Sequence, residues 1–264
     1  MRTHTFRHGI FGITALLLVM TPTIISADTR STWPLPEALP INPTVNLGNQ
    51  FQAGPNVHVQ WSASSRAPEG PKPNEVEYYI PPRADGSINP NPFLASGVAV
   101  GRNVDLYWSA GTGPAGVNAD ADFGTPERFI DPEFFPGANL PEGVTITEAQ
   151  GINTLNRIRH NLEANGLTLE DVTFMRIYLE APPGETRADY AGWNRAYRKF
   201  FANVDLVTNT VISDYEPVIV ANPRRPARSN IEVATLPVQG WLVEIEVIAA
   251  FPQPAPKTLP GRNR

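Results

Sequence analysis

The apolar positions of this chain change their period several times, and each change marks an element. Val57-His58-Val59-Gln60-Trp61-Ser62 alternates as a strand does, and Val76 to Pro82 reads as a second, with a loop over Ala67 to Asn74 between them. Gly97 to Gly101 and Val104 to Ser109 read as a hairpin turning at Gly101-Arg102-Asn103. From Ile146 to Asn165 the period lengthens. Ile152, Leu155, Ile158 or Arg159, and Leu162 recur three and four apart, as a surface helix requires; Thr145 or Thr147 can cap it and Gly166 can stop it. A strand is expected over Asp171 to Glu180, ended by Pro182-Pro183-Gly184. A second helix over Asp189 to Phe201 carries an aromatic stripe of Tyr190, Trp193, Tyr197 and Phe200 or Phe201. Strands at Asn230 to Ala234 and Leu242 to Ala249 close the pattern. From Val98 the order is β-β-α-β-α-β-β, which predicts an α+β fold with two helices on one face of a sheet.

The final strand breaks the apolar rule in one respect. Glu244 and Glu246 lie two apart, so both face one way while Val243, Ile245 and Val247 face the other. Carboxylates in such a run need a cationic partner or water, and Arg228, at the start of the preceding strand, is the candidate partner.

The ends and the composition add the following. Arg2, Arg7 and His8 precede an apolar run from Gly9 to Met20 and small residues up to Ala27, the pattern of a secretory leader over residues 1–27. The run is short for a bilayer, so no stable membrane insertion is expected after cleavage, and the periplasm or the exterior is the expected location. Removal of Arg2 and Arg7 takes Lys+Arg from 21 to 19 against 26 acidic residues, a formal charge of -7. That balance argues against nucleic acid as a partner. Cysteine is absent, which removes thiol nucleophiles, thiolate metal sites and disulfides. Residues 28–90 form an N-terminal extension, polar and proline-spaced to about Phe51 and with short strands beyond; residues 91–250 form the main domain and 251–264 a tail expected to be loose.

In order along the chain stand Ala149-Gln150 to Gly166-Leu167, Leu169-Glu170-Asp171-Val172, Trp193-Asn194 with Tyr197 and Phe200-Phe201, Pro226-Ala227-Arg228-Ser229, Glu232-Val233-Ala234 with Leu236-Pro237, and Val243-Glu244-Ile245-Glu246. This series resembles the RidA family of reactive-intermediate deaminases, the YjgF/YER057c/UK114 family, over roughly residues 91 to 250. The resemblance implies a homotrimer of chorismate-mutase-like subunits with clefts between them. It implies hydrolysis of small carboxylate-bearing enamines or imines, of the 2-aminoacrylate or 2-iminopropionate type, to 2-oxo acids and ammonia without a cofactor. By position, Arg228 matches the arginine that holds the substrate carboxylate and Glu244 the acid that positions or activates water. Ser109 and Gly111 fall near the Ser-Gly turn lining the cleft, with Ala110 intervening. Phe93-Leu94 stands where the family often has a pocket-closing tyrosine. The leader, the extension, the Gly111 to Pro141 loop and the Val204 to Arg224 segment all exceed the family's compact domain. They leave a second reading, a non-catalytic member binding a small acid or a protein partner.

Other chemistries find less support. His58 and His160 are isolated, and Asp120, Asp122, Glu127, Asp131 and Glu133 lack calcium-loop spacing, so no metal is expected. Gly111 to Gly116 lacks the Lys-Ser/Thr ending of a phosphate loop, and Pro114 removes a donor. No Gly-x-Ser-x-Gly surrounds Ser109.

Overall fold

The computed structural model describes residues 70–252. The leader expected at 1–27, the proline-spaced arm, the strand expected at 57–62 and the tail beyond 252 lie outside the described residues. The elements are β1 (Val76–Tyr79), β2 (Gly97–Val100), β3 (Leu106–Trp108), α1 (Ile146–Ala164), β4 (Val172–Leu179), α2 (Tyr190–Arg198), β5 (Ala227–Glu232) and β6 (Val243–Ala250). The fold is α+β, with β3-β6-β4-β5 as one four-stranded sheet and β1-β2 as a two-stranded ribbon. β3 and β4 run antiparallel to β6, and β5 runs parallel to β4.

Local chemistry explains the helix ends. The Thr145 hydroxyl accepts from the Glu148 amide and donates to the Asp189 carboxylate, which itself caps α2 by accepting from the Gly192 amide. One hydroxyl thus ties both helix starts together. Gly166, at φ 75°, takes the left-handed turn that ends α1. Ile152, Leu155, Ile158 and Leu162 of α1 and Trp193 and Tyr197 of α2 pack on Met175, Ile177 and Leu179 of β4 and Val243, Ile245 and Val247 of β6. Each fully buried side chain of this kind contributes about 1.5–3 kcal/mol.

Two expectations need correction. The hairpin of residues 97–109 does not form: β2 pairs with β1 and β3 pairs with β6. The Gly101 and Asn103 amides donate to Glu75 O and Pro73 O, and a side chain at Gly101 would strike the Lys72 carbonyl. The chain there is held by segment 72–75 instead of folding onto itself. Nor is α1 a surface helix with a solvated polar side. Thr147, Glu148, Gln150, Asn153, Thr154 and Asn156 are all buried. The loop that follows Gly111 covers Gln150 and Asn153, and Arg195 of α2 pairs with Glu148. Asn153 accepts from the Ala115 amide and donates to Ala115 O and Phe129 O, and Gln150 donates to Pro126 O and Gly240 O.

The register fixes which residues share a face. Phe174, Arg176 and Tyr178 of β4 stand opposite Ile248, Glu246 and Glu244 of β6, all on the side away from the helices. Met175 stands opposite Arg228 and Ile177 opposite Asn230, on the helix side. Leu106 and Trp108 of the edge strand lie in register with Ala250 and Ile248, and Trp108 is 68% exposed. No helix among the described residues is long and apolar enough to cross a membrane.

Candidate functional site: two half-sites on opposite faces of one sheet

Arg228 enters the helix side of β5 beneath the start of α2. Its Nη2 donates to Asn194 Oδ1 at 2.8 Å. Its guanidinium carbon lies 4.3 Å from the Phe93 ring centre and 4.2 Å from that of Tyr197. Its Nε and Nη1 are buried and have no hydrogen-bond partner. Burial pulls the guanidinium down to about 10, against a partial counter-effect from Tyr197, and the nearby Arg198 lowers it further. Tyr197, fully buried, is pushed up to about 12 by desolvation. Leu94, half-buried, is not among the groups that hold this guanidinium.

Two more arginines stand behind this one. Arg198 lies 4.3 Å from the Phe93 ring centre and 4.5 Å from that of Tyr215, and donates to Asn91 Oδ1 at 2.9 Å and to the Ala202 carbonyl. Arg225, 1% exposed, donates to the carbonyls of Pro92 at 3.2 Å, Val204 at 2.6 Å and Pro223. Burial, then Arg198, pulls Arg225 down to about 10. Tyr215 and Val204 belong to the Val204 to Arg224 segment, so that insertion builds the back wall of the arginine cluster.

Glu244 lies on the other face. Its carboxylate sits against the Gly111 backbone, where an added Cβ would fall 2.1 Å from Oε1. A side chain at Gly111 would displace the Glu244 carboxylate from this position. Gly111 is placed because its neighbours extend the β3 edge along β6: Thr112 and Ile245 exchange both backbone hydrogen bonds at 2.9 Å, Ser109 N donates to Val247 O at 3.0 Å, and Val247 N donates to Ser109 Oγ at 2.9 Å. Burial, and secondarily Glu246, holds the Glu244 carboxyl above its ordinary range. From Gly113 onward the loop turns to the helix side, with Gly113 against Trp241 and its carbonyl accepting from Arg157. It therefore leaves the Glu244 face uncovered.

The expected ion pair of Arg228 with Glu244 or Glu246 does not exist, because the sheet stands between them. Glu246 pairs with Arg176 at 3.0 Å, and Glu232 accepts from the Ala188 amide at 3.1 Å. The structure brings together Arg228 and Phe93 on one side, and Ser109, Gly111 and Glu244 on the other. Sequence reasoning did not assign site roles to Asn194, Tyr197, Arg198 or Asn230. The one available signal was the resemblance, which already included Trp193-Asn194 and Tyr197. Among the described residues no group of three His, Cys, Asp or Glu side chains could hold a metal ion.

The family model described as endoribonuclease L-PSP matches residues 142–251. A RutC family protein from Saccharolobus solfataricus is 32% identical over 114 residues, covering 43% of this chain and 69% of the relative. The chain belongs to the RidA family. Solved structures similar to this RidA-family chain include a YjgF/YER057c/UK114 member from Mycobacterium tuberculosis, at 20% identity and TM-score 0.32 over 67% of this chain and 100% of that one. The YjgF product of E. coli is 22% identical, with TM-score 0.30, over 55% of this chain and 80% of that one.

Proposed function

We propose that this RidA-family chain hydrolyses small carboxylate-bearing imines and enamines, and that each complete site is shared between two copies. The observation that carries the reading is the Arg228 guanidinium, partly buried, held from one side by Asn194 and left with two donors unmatched. A buried donor without an acceptor costs about 1–3 kcal/mol, more when charged, and a ligand carboxylate supplies the missing acceptors. Glu244 faces away from its own Arg228, so the carboxylate that serves a given Arg228 comes from a neighbouring copy.

In the reaction, water adds to the imine carbon and Glu244 takes its proton. Glu244 returns that proton to the nitrogen, giving a carbinolamine; the carbinolamine hydroxyl proton then passes through Glu244 to the nitrogen as the C–N bond breaks, the C=O of the 2-oxo acid forms and ammonia leaves; an enamine first tautomerises to the imine. A carboxyl held above its ordinary range by burial suits this exchange near neutrality. Assembly has its own support. Phe174, Tyr178, Ile248, Leu106 and Trp108 form an aromatic and aliphatic surface on the face that the helices do not cover, which suits packing against other copies as the family's homotrimer would require.

An oxidase that releases 2-iminopropionate from alanine, mixed with the purified chain, should yield keto acid faster than in buffer. Absence of acceleration by a folded trimer rejects hydrolysis, and a mass near one subunit by light scattering rejects the shared site. Phe93 in place of a tyrosine supports a second reading, carboxylate binding without turnover, because the ring offers no hydroxyl to the reacting nitrogen. Calorimetric binding with no turnover would select it. Export rests on residues 1–27 alone, and cell fractionation tests it.

A further inference from the structure

The Arg228 half-site carries several uncommitted donors. Arginine can only donate, so its bond to Asn194 fixes Oδ1 as the acceptor and leaves the Asn194 NH2 uncommitted. Indole nitrogen also only donates, so the 3.2 Å contact from Trp193 Nε1 fixes Asn230 Oδ1 in the same way. The Asn230 NH2 then has no protein acceptor. Arg228 and Asn230 lie two apart on β5, and both engage α2, so they share the helix face. Arg198 adds a second positive charge. It and Arg228 each lie 4.3 Å from the centre of the same Phe93 ring, so their charges are separated by no more than twice that distance.

Neutralising charge is sparse. Among the described residues the ion pairs are Lys72–Glu75, Arg176–Glu246 and Arg195–Glu148, and none involves Arg198, Arg225 or Arg228. One acid, Asp205, acts on Arg225 of the cluster, and another, Glu232, lies further along β5. The Asp205 carboxylate is engaged by the Val207 and Thr208 amides, and Glu232, two positions past Asn230, is engaged by the Ala188 amide. Glu232 bounds the positive region along the strand and disfavours a ligand that reaches beyond Asn230.

Resting on the deaminase reading, we infer that the preferred substrate is a short 2-imino dicarboxylate, with its α-carboxylate on Arg228 and its side-chain carboxylate on the Asn230 NH2. The reaction is −OOC–CH2–C(=NH)–COO− plus H2O giving −OOC–CH2–C(=O)–COO− plus NH3, with no other reactant. An aliphatic side chain would leave the Asn230 NH2 unmatched.

The test generates imines in situ with flavin oxidases acting on aspartate and on alanine, and compares kcat/KM for the two through loss of trapped imine. The wild-type chain should favour the aspartate-derived imine by about tenfold or more. Asn230→Leu should lower that ratio by about tenfold to a hundredfold, the worth of one hydrogen bond to a charged group. Asn230→Asp keeps the shape and the acceptor for Trp193 but sets a carboxylate against a carboxylate, so the ratio should fall further. A wild-type ratio of one or less with the alanine imine turned over overturns the inference, as does a ratio unchanged in both variants. If neither imine is turned over, the deaminase reading fails separately. Calorimetry with 2-oxobutanedioate against 2-oxopropanoate then decides: preferential binding of the diacid, lost in Asn230→Asp, upholds the site, and equal binding overturns it.

Discussion

Replacing Arg228 with Met should make the protein more stable while removing its ligand. Burial lowers the guanidinium from 12.5 to about 10. At about 1.4 kcal/mol per pH unit the fold disfavours the cation by about 3 kcal/mol. The Phe93 and Tyr197 rings return part of this, at about 0.5–2 kcal/mol for each cation–π contact. Met is unbranched and of comparable reach, and its sulfur recovers about 0.3–1.5 kcal/mol against aromatic edges. The net gain expected is about 1–2 kcal/mol, or roughly 2–4 °C in Tm per kcal/mol for a chain of this size. The sign follows from the direction of the shift. The folded value lies below the unfolded one, so the penalty on the cation is complete at any pH below about 10 and is released only as pH rises from there. The advantage of Met should therefore be flat from about pH 6 to 9. Urea unfolding across that range measures the gain, and calorimetry with a 2-oxo acid measures the binding lost. A Met variant less stable than wild type by 1 kcal/mol or more, with binding retained, would refute the argument and make Arg228 a structural strut.

Arg225→Met should show the opposite sign, because the Pro92, Val204 and Pro223 carbonyls lose a buried donor; urea unfolding should register a loss of about 3 kcal/mol or more. Glu244→Gln should cut turnover by about a hundredfold or more. Its raised carboxyl favours the protonated form in the fold, so the wild type loses stability as pH rises from the ordinary value of 4.5 through the raised folded one, and melting curves should show the Gln variant gaining on it over that interval and no further above it. Asn153→Leu should free the loop over residues 113–130 by stripping partners from the Ala115 amide and the Ala115 and Phe129 carbonyls; about 2–3 kcal/mol of stability and faster proteolysis within that loop are the readouts.

Elements whose order depends on local period were readable from the chain. The Ile152-Leu155-Ile158-Leu162 spacing gives α1, the Trp193-Tyr197 stripe gives α2, and Thr145 and Gly166 bound α1 where side-chain chemistry places them. Partner choice was not readable. The alternation of residues 97–100 fits β1 as well as β3, and only the crossing of Gly101 over Lys72 decides between them. Asn153 and Gln150 look like solvated helix positions until a loop some thirty residues upstream folds over them.

The same limit governed the site. Arg228 and Glu244 could each be singled out by type, but their relation depends on two registers at once, one parallel and one antiparallel, through the intervening β4. A slip of one residue in either pairing moves a side chain to the other face. With Met175 opposite Arg228 and Tyr178 opposite Glu244, the two acquire opposite parity. Adjacent residues on one strand always point to opposite faces, and no change of rotamer carries a side chain through a sheet. A chemistry that needs both groups on one small molecule therefore needs the arginine face of one copy against the glutamate face of another. The dependence is steep: diluting the chain below its dissociation constant should abolish turnover while leaving each subunit's fold intact, and activity that persists in a monomer would mean that Arg228 and Glu244 do not act together.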